Sequence, residues 1–462
     1  MQMKYLIPLA VLLVLLGLAG GWWAEGGGGA APAEREPMPF FLGGIQVNEP
    51  DVEHWLESLQ AAGMNTVEVT VYARQGDWDS DHLWFEAEEP SVLKEIRAAK
   101  RRGLRVVLIL RVALQSRFPR NAFLWHGMIM PRNDSLLDGW FRRYEAFVLQ
   151  WAQVAALEGV DVLAVGSEMN ALTATTPLDA VPPLYAFFSS GPAQERHEKR
   201  MLRYAHLLRE GHLWERGVGH FPSLEALLDA RIAARRAWAR QVTFADSTAP
   251  LERMNRRRQR VLLHWLRIIR RARKAFPGYL TYAANFDAYQ EVAFWRELDL
   301  LGLNAYFPLR NPSTEEPPPE RLEKTLQRSW QRIFDEIEGF QSRRGLTHQP
   351  ILFTELGYSH RSRATLEPWS GFGYSLLGLP PRETFIVWDA QPPQPQERAL
   401  AVRALRQTLL RRNHRFCGLL YWKLTTQARH LPIEPFALCL TPEARDPLQI
   451  ELGRFADGFE VE

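Results

Sequence analysis

Cysteine is nearly absent: Cys417 and Cys439 are the only two in 462 residues. That excludes a disulfide scaffold, and neither has the close cysteine neighbour of a thiolate metal site. No His-Glu-x-x-His run occurs, and His197, His206, His212 and His220 are scattered rather than spaced as ligands, so no metal is expected. A glycine-rich phosphate loop after a strand is also lacking, and with it the usual nucleotide cradle; no cofactor is expected. Charge of one sign is not in excess. Lys and Arg total 56 against 53 Asp and Glu, a net +3, so despite a sequence pI near 8.8 there is no global field for nucleic acid.

What the chain has in quantity is aromatic surface, with 16 Trp and 12 Tyr. Such rings fill cores and also stack on the apolar C–H faces of sugars. At the N-terminus Lys4 precedes an apolar run from Tyr5 to Ala24. Gly26 to Gly29 and a Pro-containing stretch to Pro39 then read as a linker. Residues 1–39 are therefore expected to be a signal peptide or membrane anchor plus linker. The protein is expected to be exported: periplasmic, extracellular or membrane-anchored. Ala31-Pro32-Ala33 offers small residues for cleavage, whereas Trp22 and Trp23 suit a membrane interface if the segment is retained.

From Phe40 onward short apolar runs alternate with amphipathic helices, the pattern of repeated β-α units. The runs are Phe41–Val47, Thr66–Tyr72, Arg105–Leu110, Val160–Gly166, Leu280–Phe286, Leu300–Phe307, Ile351–Thr354 and Gly418–Trp422. Asp51 caps the first helix, which ends at Gly63; Gly103 and Gly159 stop the next two. Trp140, Tyr144, Phe147, Trp151 and Val154 lie on one face of the third helix. Later helices are expected over about Ala288–Leu298, Arg321–Arg343 and Gln396–Arg412. Eight such units make an α/β fold, and a closed (β/α)8 TIM barrel over residues 40–462 is a more economical reading than a doubly wound open sheet.

One segment breaks the rhythm. Residues 171–255, after strand 4, form a long, mostly helical insertion at the barrel mouth, either a wall of the cleft or a stability annex. Arg256 to Lys274 then reads as barrel helix 4, with Val261, Leu262, Trp265, Ile268, Ile269 and Ala272 on one face. Its many arginines suggest a solvated face first and an acidic partner second.

Two carboxylates stand at strand C-termini, Glu168 after Val162–Ser167 and Glu355 after Ile351–Thr354. That is the end of a barrel where catalytic groups sit. Cleaving a glycosidic bond needs one carboxylic acid to protonate the leaving oxygen. It needs a second carboxylate to stabilise or capture the oxocarbenium-like centre. Strands 4 and 7 face each other across a barrel, so the pair can flank a sugar.

At these residues the chain resembles clan A of the glycoside hydrolases, and most of all family 113, whose described members are β-mannanases. Gly166-Ser167-Glu168-Met169-Asn170 is similar to the family's acid/base motif, and Phe353-Thr354-Glu355-Leu356-Gly357-Tyr358 to its nucleophile motif. Gly302-Leu303-Asn304-Ala305-Tyr306-Phe307-Pro308 resembles its strand 6, which implies that Tyr306 hydrogen-bonds the nucleophile. Leu420-Tyr421-Trp422-Lys423 resembles strand 8, which implies that Trp422 is the platform under the reacting sugar. Ser167 stands where clan A mostly has Asn, the insertion is not expected of the mannanases, and Arg111 at the end of strand 3 suggests an anionic or differently decorated sugar.

Supporting residues read from position are Arg74 and Arg111, which either orient Glu355, bind substrate or pair structurally. Asn285, Asp287 and Asn304 suit subsite hydrogen bonds, and Trp369, Trp84 and Trp125 suit stacking on a sugar. The expected activity is a retaining glycosidase acting on a β-linked, mannan-like poly- or oligosaccharide. Alternatives are a non-catalytic carbohydrate-binding barrel in envelope polysaccharide export, or a transglycosylase using the same residues.

Overall fold

The computed structural model describes residues 38–456 apart from 87–88, 122, most of 174–218, 243–250, 312–316, 371–373, 378–384, 389–390 and 413–414. The expected leader at 1–37 lies outside the described residues. Among those described, no helix is long and apolar enough to cross a membrane.

The chain begins with β1 (Phe41–Gln46), α1 (Val52–Ala61), β2 (Thr66–Gln75), β3 (Leu83–Trp84), α2 (Pro90–Arg101), β4 (Arg105–Leu114), α3 (Asp134–Leu157), β5 (Val162–Ser167) and α4 (Asn170–Thr173). A hairpin of β6 (Leu213–Glu215) and β7 (Gly219–Phe221) follows, then α5 (Leu224–Val242) and α6 (Leu251–Ala275). The second half holds β8 (Tyr279–Asn285), β9 (Leu301–Asn304), α7 (Pro319–Arg344), β10 (Ile351–Leu356), the hairpin β11 (Tyr374–Leu377) and β12 (Phe385–Trp388), α8 (Pro395–Leu409), β13 (Phe416–Thr425), β14 (Leu438–Cys439) and α9 (Pro447–Ala456).

Strands β1, β2, β4, β5, β8, β9, β10 and β13 pair in parallel in that order, and β13 returns to β1 to close the barrel. The open-sheet alternative falls with that pairing. Local chemistry sets the punctuation. Asp51 accepts from the backbone N–H of Glu53 and His54 at 3.1 Å each, capping α1. Gly63, Gly103, Gly159 and Gly345 all take positive φ where helices end. The apolar face of α3 buries Trp140, Phe141, Tyr144, Phe147 and Trp151 against the barrel. Two of the buried polar edges find acceptors: Trp140 Nε1 donates to Gln75 Oε1 at 2.8 Å and the Tyr144 hydroxyl to the Val165 carbonyl at 2.7 Å.

Two expectations need correction. The helix expected over Ala288–Leu298 is replaced by two short 3-10 turns, Tyr289–Glu291 and Trp295–Glu297. There Tyr289, Phe294 and Trp295 are all buried, and Trp295 Nε1 donates to the Tyr289 carbonyl at 2.9 Å. Packing three large rings under one loop outweighs a regular ladder. Barrel helix 4 also starts earlier than Arg256, since α6 begins at Leu251. The two cysteines are both free.

Candidate active site

The carboxyl-terminal end of β5 is shaped by what lies behind it. A Cβ on Gly166 would come within 2.6 Å of the Met169 methyl, 2.9 Å of the Tyr144 hydroxyl and 3.1 Å of Trp265, so only glycine lets these groups close beneath the turn. The next two residues bend sharply. Glu168 takes φ +51, a left-handed conformation that costs a non-glycine residue roughly 1–2 kcal/mol. Two bonds hold it there: the Glu168 N–H donates to the Ala283 carbonyl at 2.9 Å, and the Met169 N–H to the Tyr282 hydroxyl at 2.8 Å.

The bend turns Glu168 toward Glu355, on β10. Asn304, at the end of β9, joins the two: its Nδ2 donates to Glu168 Oε1 at 2.9 Å and to Glu355 Oε1 at 2.8 Å. Thr354 Oγ1 donates to Asn304 Oδ1 at 2.8 Å, which decides the end of the amide that faces the carboxylates. The two carboxylate oxygens are therefore separated by no more than the two bonds end to end, about 5.7 Å. That lies below the ~6.5–9.5 Å of inverting glycosidases and beside the ~5–5.5 Å of retaining ones.

Glu355 has further donors. The Tyr306 hydroxyl donates to its Oε2 at 2.5 Å, and the Arg111 guanidinium donates to its Oε1. Arg111 also lies 3.7 Å from the fully buried Glu68 and sits 4.8 Å from the centre of the Trp422 ring. The guanidinium of Arg111 thus faces Glu355 and Glu68 inside the barrel. Arg74 does not join the pair. Its β2 position brings it beside β3, and its ion partner is the exposed Glu86 at 3.5 Å.

The other expected residues fall around the mouth. Asn285 ends β8 in register with Asn304, buried, with its Oδ1 lacking a hydrogen-bond partner. Asp287 is half-buried just beyond. Trp422 lies on β13 with Lys423 Nζ 4.9 Å from its ring centre. Trp369 stacks on Phe286 at 5.4 Å and 13°, and Trp84 lies against His82 at 4.7 Å, so packing claims part of both rings.

Sequence reasoning missed His126. It lies in the 3-10 turn His126–Met128 after β4, with Nε2 3.2 Å from Glu168 Oε2 and its ring edge-on to Trp125 at 4.7 Å. A lone histidine in a long loop carries no motif; only the fold brings it to the acid.

The pair shares one electrostatic environment. Burial pushes Glu355 above the ordinary carboxylate range; Arg111 pulls it back, Glu168 pushes it up again and Tyr306 pulls it down. Burial also pushes Glu168 up, but His126, then Arg111 and Asn304, bring it below the ordinary range. The charge thus favours Glu168, the reverse of what a proton donor there requires, and His126 is the first of the groups that lower it.

The model of glycoside hydrolase family 113 matches residues 45–176 and 236–376, more than half of the chain. The chain belongs to glycoside hydrolase family 113. It is a glycosidase with a carbohydrate substrate, which sets aside the non-catalytic barrel. Among solved structures it is similar to a family 113 β-1,4-mannanase in complex, at 16% identity and a TM-score of 0.53, over 91% of this chain and 100% of that one. It is also similar to the family 113 β-mannanase of Alicyclobacillus acidocaldarius, at 16% identity and a TM-score of 0.52, over 91% and 98%. No curated protein sequence matches it. The family 113 match passes over residues 177–235, which fall within the segment after β5.

Proposed function

We propose that the protein is a retaining glycosidase acting on β-linked mannose chains, with Glu355 as nucleophile and Glu168 as acid/base. The observation that carries the mechanism is the single amide nitrogen of Asn304 bonded to both carboxylates, which leaves too little space for a water between inverting partners. The mannan assignment is drawn from the β-mannanases of the same family.

In this reading Glu355, ionised beside Arg111, attacks the anomeric carbon while Glu168 protonates the departing glycosidic oxygen. Once the glycosyl ester forms, the negative charge beside Glu168 is gone. Glu168, which has given its proton to the departing oxygen, then stays ionised and takes a proton from the incoming water as that water attacks the anomeric carbon and releases Glu355. Trp422 supports the sugar ring, and Asn304 and Tyr306 hold the two carboxylates in place.

Product configuration followed by NMR on a cleaved mannan tests this, with initial release of the retained anomer expected. Glu355→Ala is expected to lose turnover and, with azide, to give an inverted glycosyl azide. Glu168→Ala is expected to keep the first step on activated aryl glycosides and, with azide, to give a retained product. Initial release of the inverted anomer, or full activity in Glu355→Ala, would sink the assignment. We also infer export, from Lys4 and the apolar run to Ala24. A reporter fused after Pro39 should reach the outside of the cytoplasm; an active cytoplasmic reporter would refute it.

A further inference from the structure

We propose that two hairpins close the mouth of the barrel into a roofed pocket, so that it takes chain ends and short oligosaccharides rather than the interior of a polymer. The substrate class rests on the glycosidase reading above.

The first is the β6–β7 hairpin, which lies in the segment leaving β5 beyond Glu168. Leu213 pairs with Phe221, Trp214 with His220 and Glu215 with Gly219. The second is the β11–β12 hairpin, which lies in the segment leaving β10 beyond Glu355. In it Tyr374 pairs with Trp388 and Leu377 with Phe385. The first hairpin is held on two sides. Its Phe221 ring packs on Phe123, from the loop after β4, at 5.7 Å and 33°. Its other strand, β6, has Cα atoms within 8 Å of β12.

Around the barrel β4 and β10 stand opposite one another, with β5, β8 and β9 between them on one side and β2, β1 and β13 on the other. The β6–β7 hairpin thus links a loop that leaves β4 to the segment that leaves β10, from opposite rims of the mouth. On one flank Trp369, after β10, stacks on Phe286, after β8, and ties those two loops together.

Cleavage inside a polymer needs a groove open at both ends, with sugar units passing on each side of the pair. A roof held from opposite rims obstructs that passage, while a chain end or a short oligosaccharide can still enter from beneath. The family 113 match omits 177–235 and stops at 376, so β6, β7 and β12 all lie outside it. Of the two hairpins, β6–β7 falls in the stretch that the family match passes over.

The test compares the full chain with two variants: one with residues 177–235 replaced by a short Gly-Ser linker, and Phe221→Ala. Mannan and reducing-end-labelled manno-oligosaccharides are the substrates, with viscosity and reducing ends measured together. The full chain is expected to release reducing ends while viscosity barely falls, and to remove units from one end of the labelled chains. The linker variant should raise the polymer-to-oligosaccharide ratio of kcat/KM by about tenfold, and Phe221→Ala by less. Hydrogen exchange at 385–388 should quicken in both variants. Rapid thinning of the polymer by the full chain, or unchanged exchange at 385–388 in a folded variant, would overturn the roof. If the linker variant does not fold, Phe221→Ala alone decides. If neither protein cleaves any mannan, the glycosidase substrate reading fails, and the exchange result still decides the roof.

Discussion

Arg111 inside the barrel and the arginines of α6 outside it carry the same charge and end in the same kind of ion pair. Arg111 is 5% exposed, held between Glu355 and Glu68 with Trp422 against it. Along α6, Arg260 grips Asp138 with both arms, Arg267 and Arg271 share Glu145, Arg270 meets Glu297 and Arg273 meets Asp299. Those side chains remain a third to two-thirds exposed. These pairs form a seam between α6 and its neighbours that stays open to solvent. Water screens each of its pairs, while the interior screens Arg111 hardly at all. Burial thus turns one ion pair into a determinant of the reacting carboxylate and leaves the others as modest fasteners.

That contrast is easiest to break at Arg111. Arg111→Met should strand Glu355 without its permanent counter-charge. The expected result is a fall in kcat/KM of about 100-fold or more, with about 3–5 kcal/mol of lost stability, read by steady-state kinetics and urea unfolding. A variant that is both stable and active would show that the buried pair is dispensable.

The neighbouring Glu68 offers a subtler test. Burial holds its carboxyl well above the ordinary range, against the pull of Arg111. A raised folded value means that its contribution to stability is full below the unfolded value and is lost as pH rises through the folded one. Glu68→Gln should therefore flatten the fall in unfolding midpoint as pH rises above the ordinary glutamate range, while keeping kcat/KM within about threefold. A large loss of activity would mean that Glu68 is charged and helps to hold Arg111.

His126 sharpens the same comparison from the side of the acid. Facing Glu168 are His126, Arg111 and Asn304, and His126 is the first of the groups that hold its carboxyl low. His126→Gln removes that contact and should carry the basic limb of kcat/KM, where Glu168 loses its proton, to higher pH, by up to about one unit. Superimposable profiles would remove His126 from the proton balance. The smallest effect is expected at the seam: Arg260→Ala should cost less than about 1 kcal/mol and leave the kinetics unchanged. A larger loss would mean that the seam acts as a network.

Much of this molecule was legible without coordinates, because its period and punctuation are local. Asp51, Gly63, Gly103 and Gly159 sit where helices start and stop, and eight apolar runs appear as eight barrel strands. Glu168 and Glu355 were readable because each follows such a run, and a strand end is a position that sequence order alone defines. Contacts made across the barrel were not. That Arg111 turns inward to Glu355 while Arg74 turns outward to Glu86 depends on which strand faces which. That Asn304 bridges both carboxylates depends on the closure of β9 between β8 and β10. His126 reaches Glu168 from another loop, 42 positions back along the chain, and no periodicity encodes such an approach. The 3-10 turns at Tyr289 and Trp295 likewise follow from rings that had to fill one gap. Sequence determined the elements and the two acids; the tertiary fold decided their partners, because burial and distance exist only once the barrel has closed.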